Sequence, residues 1–236
     1  IDAVVHLAGE NIAAKRWSKK QKAKIRDSRV LGTRKLVEAC KKNPPKIFLC
    51  ASAVGVYGDR GDEILDESAK AGEGFLAETG VAWENETKNL ENTRVVNLRF
   101  GMVVGKAGGA LKKMLLPFKL GLGGNLGNGE QYMSWIGLED AVNAAIFCLN
   151  QNNISGAVNI VSDPIKNKVF TKELEKALKR PAFFHAPKLA LKLILGEMAE
   201  ELLLSSTRAI PKKLDDAGFR FKHRTLDSLF KEDFGT

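Results

Sequence analysis

Moving a proton at neutral pH takes a phenol, imidazole, carboxylate, thiol or activated hydroxyl beside a group that tunes it. The 236-residue chain is sparing with most of these: two tyrosines, Tyr57 and Tyr132, and three histidines, His6, His185 and His223. Its three cysteines, Cys40, Cys50 and Cys148, form no CxxC or Cys/His cluster, and the histidines lack metal spacing. Neither a metal site nor a disulfide framework is therefore expected. The groups left as candidate proton carriers are the Tyr57 phenol, the Ser52 hydroxyl and the carboxylates of Glu78 and Glu10. For each, a surface or structural polar residue is the competing reading. Gly121-x-x-Gly124-x-x-Gly127 has the spacing of a dinucleotide fingerprint. It follows Pro117-Phe-Lys-Leu instead of a strand and opens onto no clear helix, so it reads as a loop on the substrate side.

The elements that must position these groups alternate in type. Residues 1–8, 46–52, 93–99 and 157–161 are short apolar runs that read as buried parallel strands. Ser18 with Gln21 forms a capping box ahead of an apolar stripe at Ile25, Val30, Leu36, Val37 and Cys40, and Asn43-Pro44-Pro45 ends that helix. Residues 81–90 and 138–150 are predicted as further helices. Strands alternating with helices at these intervals make βαβ units and an α/β fold with a mostly parallel sheet. Beyond about Pro164 the pattern turns helical, with helices expected over 171–180, 189–205 and 225–231. The leucine-rich helix over 189–205 is expected to face the core.

A composition of 44% hydrophobic and 28% charged residues excludes disorder for the bulk of the chain. No apolar run reaches the ~20 residues of a membrane span. No membrane contact and no secretory signal are expected, and the location implied is cytoplasmic. Net charge is +9, spread along the chain, while aromatics make up 7% and are not interleaved as a stacking platform. That pattern argues against nucleic acid and for solvated helix faces.

Four ordered segments then carry a resemblance. Asp2-Ala-Val-Val-His-Leu-Ala-Gly9, Ser52-Ala-Val-Gly-Val-Tyr-Gly58, Asn97-Leu-Arg-Phe-Gly-Met-Val-Val-Gly105 and Trp135-Ile-Gly-Leu-Glu-Asp140 resemble the strand-end motifs of extended short-chain dehydrogenase/reductases. Leu7-Ala-Gly-Glu-Asn11, Lys15-Arg-Trp17, Ser28-Arg29, Leu115-Leu-Pro-Phe118 and Gly121-Leu-Gly-Gly124 are similar to an atypical NADP-dependent branch, the "epimerase family" proteins. Gly196-Glu-Met198, Ile210-Pro-Lys212 and Ala217-Gly-Phe219 resemble the uncharacterised C-terminal domain found with that branch. The resemblance implies a Rossmann-like, doubly wound domain over 1–163, with a loop insertion near 105–135, and a small helical cap over 164–236. It also implies a preceding β-α-β stretch with a glycine-rich turn, on the order of 30 or more residues.

The resemblance further implies a cofactor path past Leu7, Ala8 and Gly9, with contacts from Arg29, Ser52, Met102 and Val103. NADP(H) is implied in preference to NAD(H). Core packing is the competing reading for Leu7, Ala8 and Val103, and a solvated helix arginine for Arg29. Ordinary members of the superfamily use Tyr-x-x-x-Lys as acid or base. Here the matching segment is Phe75-Leu-Ala-Glu-Thr-Gly-Val-Ala-Trp-Glu84, without that pair, and the usual serine position falls on Ala53 beside Ser52. The expected function is an NADP(H)-dependent oxidoreductase or epimerase-like activity on an unidentified small molecule. The alternative is a non-catalytic dinucleotide sensor.

Overall fold

The computed structural model describes residues 1–106 and 109–235. Residues 107 and 108, within the insertion expected near 105–135, and residue 236, at the end of the expected cap, lie outside the described residues. Strand β1 (Ala3–His6) leads into α1 (Lys19–Lys41), which starts where the Ser18 hydroxyl accepts the Gln21 N–H at 3.2 Å. Strand β2 (Ile47–Ala53), a 3-10 turn (Val54–Tyr57) and β3 (Ile64–Leu65) precede α2 (Phe75–Thr87). Then come β4 (Arg94–Phe100), β5 (Met102–Gly105), α3 (Gly109–Lys119), β6 (Tyr132–Met133), β7 (Trp135–Gly137), α4 (Leu138–Asn150) and β8 (Gly156–Ile160). The last part holds β9 (Ile165–Lys166), α5 (Asn167–Leu178), α6 (Lys188–Leu195), α7 (Glu197–Ala199), a π turn (Glu200–Leu204), β10 (Arg208–Ala209), α8 (Lys212–Asp216) and α9 (Leu226–Phe234).

The main sheet runs β1-β2-β4-β8 with every pair parallel. Parallel strands are buried on both faces, which is why their sequences run apolar without alternation. Phe48 and Cys50 pack with Val37 and Cys40 of α1 and Trp83 of α2 on one face. Ile47, Leu49, Val96 and Leu98 pack with Ala141, Ala144 and Cys148 of α4 on the other. Helices on both faces make the doubly wound, Rossmann-like arrangement that the alternation of elements implied. The fully buried large side chains among these, Phe48, Leu49, Val96 and Leu98, contribute about 1.5–3 kcal/mol each relative to an exposed one.

A separate cluster joins the insertion to the C-terminal part. Leu111, Leu115 and Phe118 of α3 pack with Trp135, with Phe170 and Leu174 of α5, and with Phe230 of α9. The glycine-rich loop after α3 is zipped to the segment before α6 by backbone bonds: Phe184 N–H to Gly123 O at 3.1 Å, and Ala186 N–H to Asn125 O at 2.9 Å. The contact leaves no room for a side chain at Gly124, where a Cβ would stand 1.1 Å from the Phe184 carbonyl oxygen. Gly124→Ala is therefore expected to force the two strands of this zipper apart and cost about 1–3 kcal/mol. An unchanged thermal melt for that variant would show that the approach is not required.

Two helix expectations change. The helix foreseen at 81–90 begins six residues earlier, at Phe75. Its free N–H groups are capped from far along the chain: the Glu201 carboxylate accepts the Phe75 and Leu76 N–H groups at 2.9 and 2.8 Å. The helix foreseen at 189–205 is broken at Gly196, which sits at φ 64°. Its first half, α6, buries none of its residues, so it is not a core helix. Only Met198 and Ala199 beyond the break reach the core.

Candidate functional site

The carboxyl ends of β1, β2 and β4 face the starts of α1 and α2, the crevice where open parallel sheets hold ligands. At the end of β1, Leu7, Ala8 and Gly9 are exposed. Gly9 lets the chain pass close over Arg29, since a Cβ there would lie 3.2 Å from the guanidinium carbon. Arg29, on α1, is held by its Nη1 donating to the carbonyls of Glu10 and Ile25, both at 3.0 Å. Its guanidinium lies 5.1 Å from the Trp83 ring centroid. Burial pulls the Arg29 pKa below its ordinary value, and the nearby Glu10 charge works the other way. That carboxylate is engaged by Gln21 Nε2 at 3.1 Å and makes no ion pair with Arg29 among the described residues. The Nε and Nη2 donors of Arg29 have no acceptor among the described residues. A half-buried cation with unused, forked donors at a glycine turn fits an anionic group such as a dinucleotide phosphate.

Ser52 and Tyr57 are drawn elsewhere. The parallel register sets Ser52 beside Arg99 and Arg99 beside Asn159, on one face of β2, β4 and β8. Arg99 grips the Glu84 carboxylate with two donors at 2.8 Å each, and Ser52 Oγ donates to Glu84 at 2.6 Å. Arg99 also donates to the Tyr57 hydroxyl at 2.9 Å. That hydroxyl lies 2.8 Å from Asn159 Oδ1 and 3.0 Å from the Asp66 carbonyl. Burial opposes the Arg99 charge, yet Glu84 and Tyr57 together hold its pKa above the ordinary value. Burial likewise pushes the Tyr57 phenol up, with Arg99 pulling against it.

Tyr57 is fully buried and Ser52 is 3% exposed. Neither offers its oxygen to a substrate, so as proton carriers both give way to the structural reading. Ala53, at the expected serine position, is exposed but has no polar group.

Glu78 stands apart from that cluster, in the first turn of α2, exposed and with no side-chain partner among the described residues. Met102 and Val103 of β5 are half-buried and pack on two different core clusters, and the Met102 N–H is held by Ser134 O at 2.8 Å. Sequence reasoning missed Glu84, Arg99 and Asn159. The signal was present, because an arginine inside the apolar run Val95-Val-Asn-Leu-Arg-Phe100 must find a buried partner.

The C-terminal part closes over the same region. Glu201 caps the start of α2, Lys22 pairs with Glu197 at 2.7 Å, and Gly196 lies against the Arg16 guanidinium. Among the described residues no group of three His, Cys, Asp or Glu could hold a metal. Burial pushes the Cys50 thiol up to about 12 and Cys148 up to about 11, which rules both out as nucleophiles near neutral pH.

Comparison with known proteins agrees with this geometry. A profile described as the NAD dependent epimerase/dehydratase family matches residues 1–161. One described as a domain of unknown function, DUF1731, matches residues 186–232. The chain is 44% identical over 229 residues to the epimerase family protein Mb2239 of Mycobacterium bovis, covering 96% of this chain and 76% of that protein. It is 32% identical to the human epimerase family protein SDR39U1, whose crystal structure was solved with NADPH; the match covers 100% of this chain and 82% of that one, with a TM-score of 0.95. A nucleoside-diphosphate sugar epimerase from Corynebacterium glutamicum is also 32% identical, with a TM-score of 0.81, over 99% of this chain and 46% of that one.

Proposed function

The chain belongs to the NAD-dependent epimerase/dehydratase family, and on that premise we propose that it is an NADP(H)-dependent oxidoreductase or epimerase-like protein acting on a small molecule without the Tyr-x-x-x-Lys pair. The observation that carries this reading is the Arg29 guanidinium, half-buried beneath the Gly9 turn with two donors unspent. In this reading Leu7, Ala8 and Gly9 let the cofactor pass close to the backbone, Arg29 binds it, and Met102 and Val103 border its nicotinamide end. The preference for the phosphorylated cofactor rests on the NADPH-bound human relative.

When bound, the nicotinamide supplies or accepts a hydride. The chain's own part is to orient the substrate and to move the accompanying proton. With Tyr57 and Ser52 sealed and the Glu10 carboxylate engaged by Gln21, the exposed Glu78 carboxylate in the first turn of α2 is the proton carrier. The cluster of Ser52, Glu84, Arg99, Tyr57 and Asn159 holds the ends of β2, β4 and β8 in register behind the site.

Arg29→Ala should weaken NADPH about tenfold, or about 1.4 kcal/mol, as befits one charge-assisted contact. Titration of thermal stability with NADPH reads this directly. Equal affinity in the two forms would remove Arg29 from the site, and no binding by the unaltered protein would end the reading altogether. The missing Tyr/Lys pair favours a second reading, a sensor that binds the dinucleotide without turnover. Hydride transfer to any member of a carbonyl panel excludes it.

A further inference from the structure

We propose that the face formed by the end of α3, the glycine-rich loop and α6 is a docking surface for an anionic lipid bilayer. The sequence carries no carboxylate between Glu91 and Glu130, and none between Glu175 and Glu197. The zipper between residues 123–127 and 184–186 lays these two acid-free stretches side by side. Charge that reads as dispersed along the sequence is thereby gathered in space. Lys112, Lys119, Lys179, Arg180 and Lys188 are exposed, and none makes an ion pair among the described residues.

Large apolar side chains stand exposed among these cations. Leu116 of α3 and Leu120 just beyond its end are four residues apart and each is 64% exposed, while Phe183 is 78% exposed. On α6, Leu189 and Leu193 are also four residues apart, at 69% and 70% exposed, with Lys188 and Lys192 alongside. A helix with leucines on one stripe and lysines beside it is the arrangement that lies in the interfacial plane of a membrane. No helix among the described residues is long and apolar enough to cross one, so the contact is peripheral.

The charge also argues against a second copy as occupant. A two-fold pairing would set two predominantly basic faces against each other, since of the two lysines on α6 only Lys192 is paired among the described residues, to Glu200. A bilayer with anionic headgroups accepts the leucines and phenylalanine in its acyl boundary and the lysines and arginine at its phosphates. Each cation held near such a surface adds to the attraction.

The test is sedimentation of the purified chain with vesicles of pure phosphatidylcholine and with vesicles of equal parts phosphatidylcholine and phosphatidylglycerol. Binding to the mixed vesicles alone, released by high salt, is the expected result. The double variant Leu189→Glu with Leu193→Glu should lower that partition on the order of tenfold or more, with an unchanged melting temperature because both leucines are exposed. Lys119→Gln with Lys188→Gln should do the same by on the order of tenfold. Equal binding to both vesicle types, or binding to neither, overturns the proposal. So does concentration-dependent self-association that the leucine variant abolishes.

Discussion

Arg99→Ala is expected to lose about 3–5 kcal/mol of stability, the largest single-residue loss at the sheet ends. The Arg99 and Glu84 side chains are 11% and 12% exposed, so the carboxylate left behind would stand almost without water. Tyr57 would lose the donor to its hydroxyl in the same step, and the Glu84 carboxylate would keep only the Ser52 hydroxyl. For a chain of this size the loss corresponds to a melting temperature lowered by roughly 6–20 °C. The comparison that isolates the mechanism is Arg99→Leu with Glu84→Gln. Removing both charges leaves no orphan, and that double variant should melt well above Arg99→Ala. If Arg99→Ala melts within a degree or two of the unaltered protein, the cluster is not what holds the strand ends.

Glu78→Gln should reduce kcat/KM on a carbonyl substrate by about 10²–10⁴-fold, the range for removing a general acid or base, while NADPH affinity stays the same. The two readouts separate a group that moves a proton from one that binds cofactor. Glutamine keeps the size and hydrogen-bonding reach of the side chain, and Glu78 is exposed, so stability should be unaffected. Turnover by the glutamine variant equal to that of the unaltered protein would clear Glu78 of the role. With Tyr57 and Ser52 sealed, the role would then fall to Glu10, the remaining carboxylate candidate beside Arg29.

The fold was legible because its signals are local. The Ser18 cap, the apolar stripe of α1 and the apolar runs of β2 and β4 all act over a few residues, and each appears where its pattern places it. The start of α2 was not legible, since its cap is the Glu201 side chain, 126 residues away from Phe75. Leucine content made residues 189–205 look like core, but content says nothing about what packs opposite, and α6 has little opposite it.

The site divides in the same way. The strand end Leu7-Ala8-Gly9 and the cation Arg29 were read from motif alone, and Gly9 and Arg29 stand together in space. Ser52 and Tyr57 were read as candidate chemistry by residue type. Residue type cannot show that the Arg99–Glu84 pair draws both inward, Tyr57 through Arg99 and Ser52 through Glu84, because that depends on the lateral register of three strands.

That register sets a timetable for biosynthesis. Ser52, Glu84 and Arg99 fall within one stretch of chain, so their part of the cluster can close as soon as β4 has left the ribosome. The Tyr57 hydroxyl and Asn159 are 102 positions apart. At about 5–20 residues per second, the 60 residues from Arg99 to Asn159 take roughly 3–12 s to appear. Throughout that interval β4 is the outermost strand on its side, with its hydrogen-bonding edge bare and a half-satisfied polar cluster behind it. This nascent intermediate, more than the finished protein, is where a chaperone would find a strand to hold.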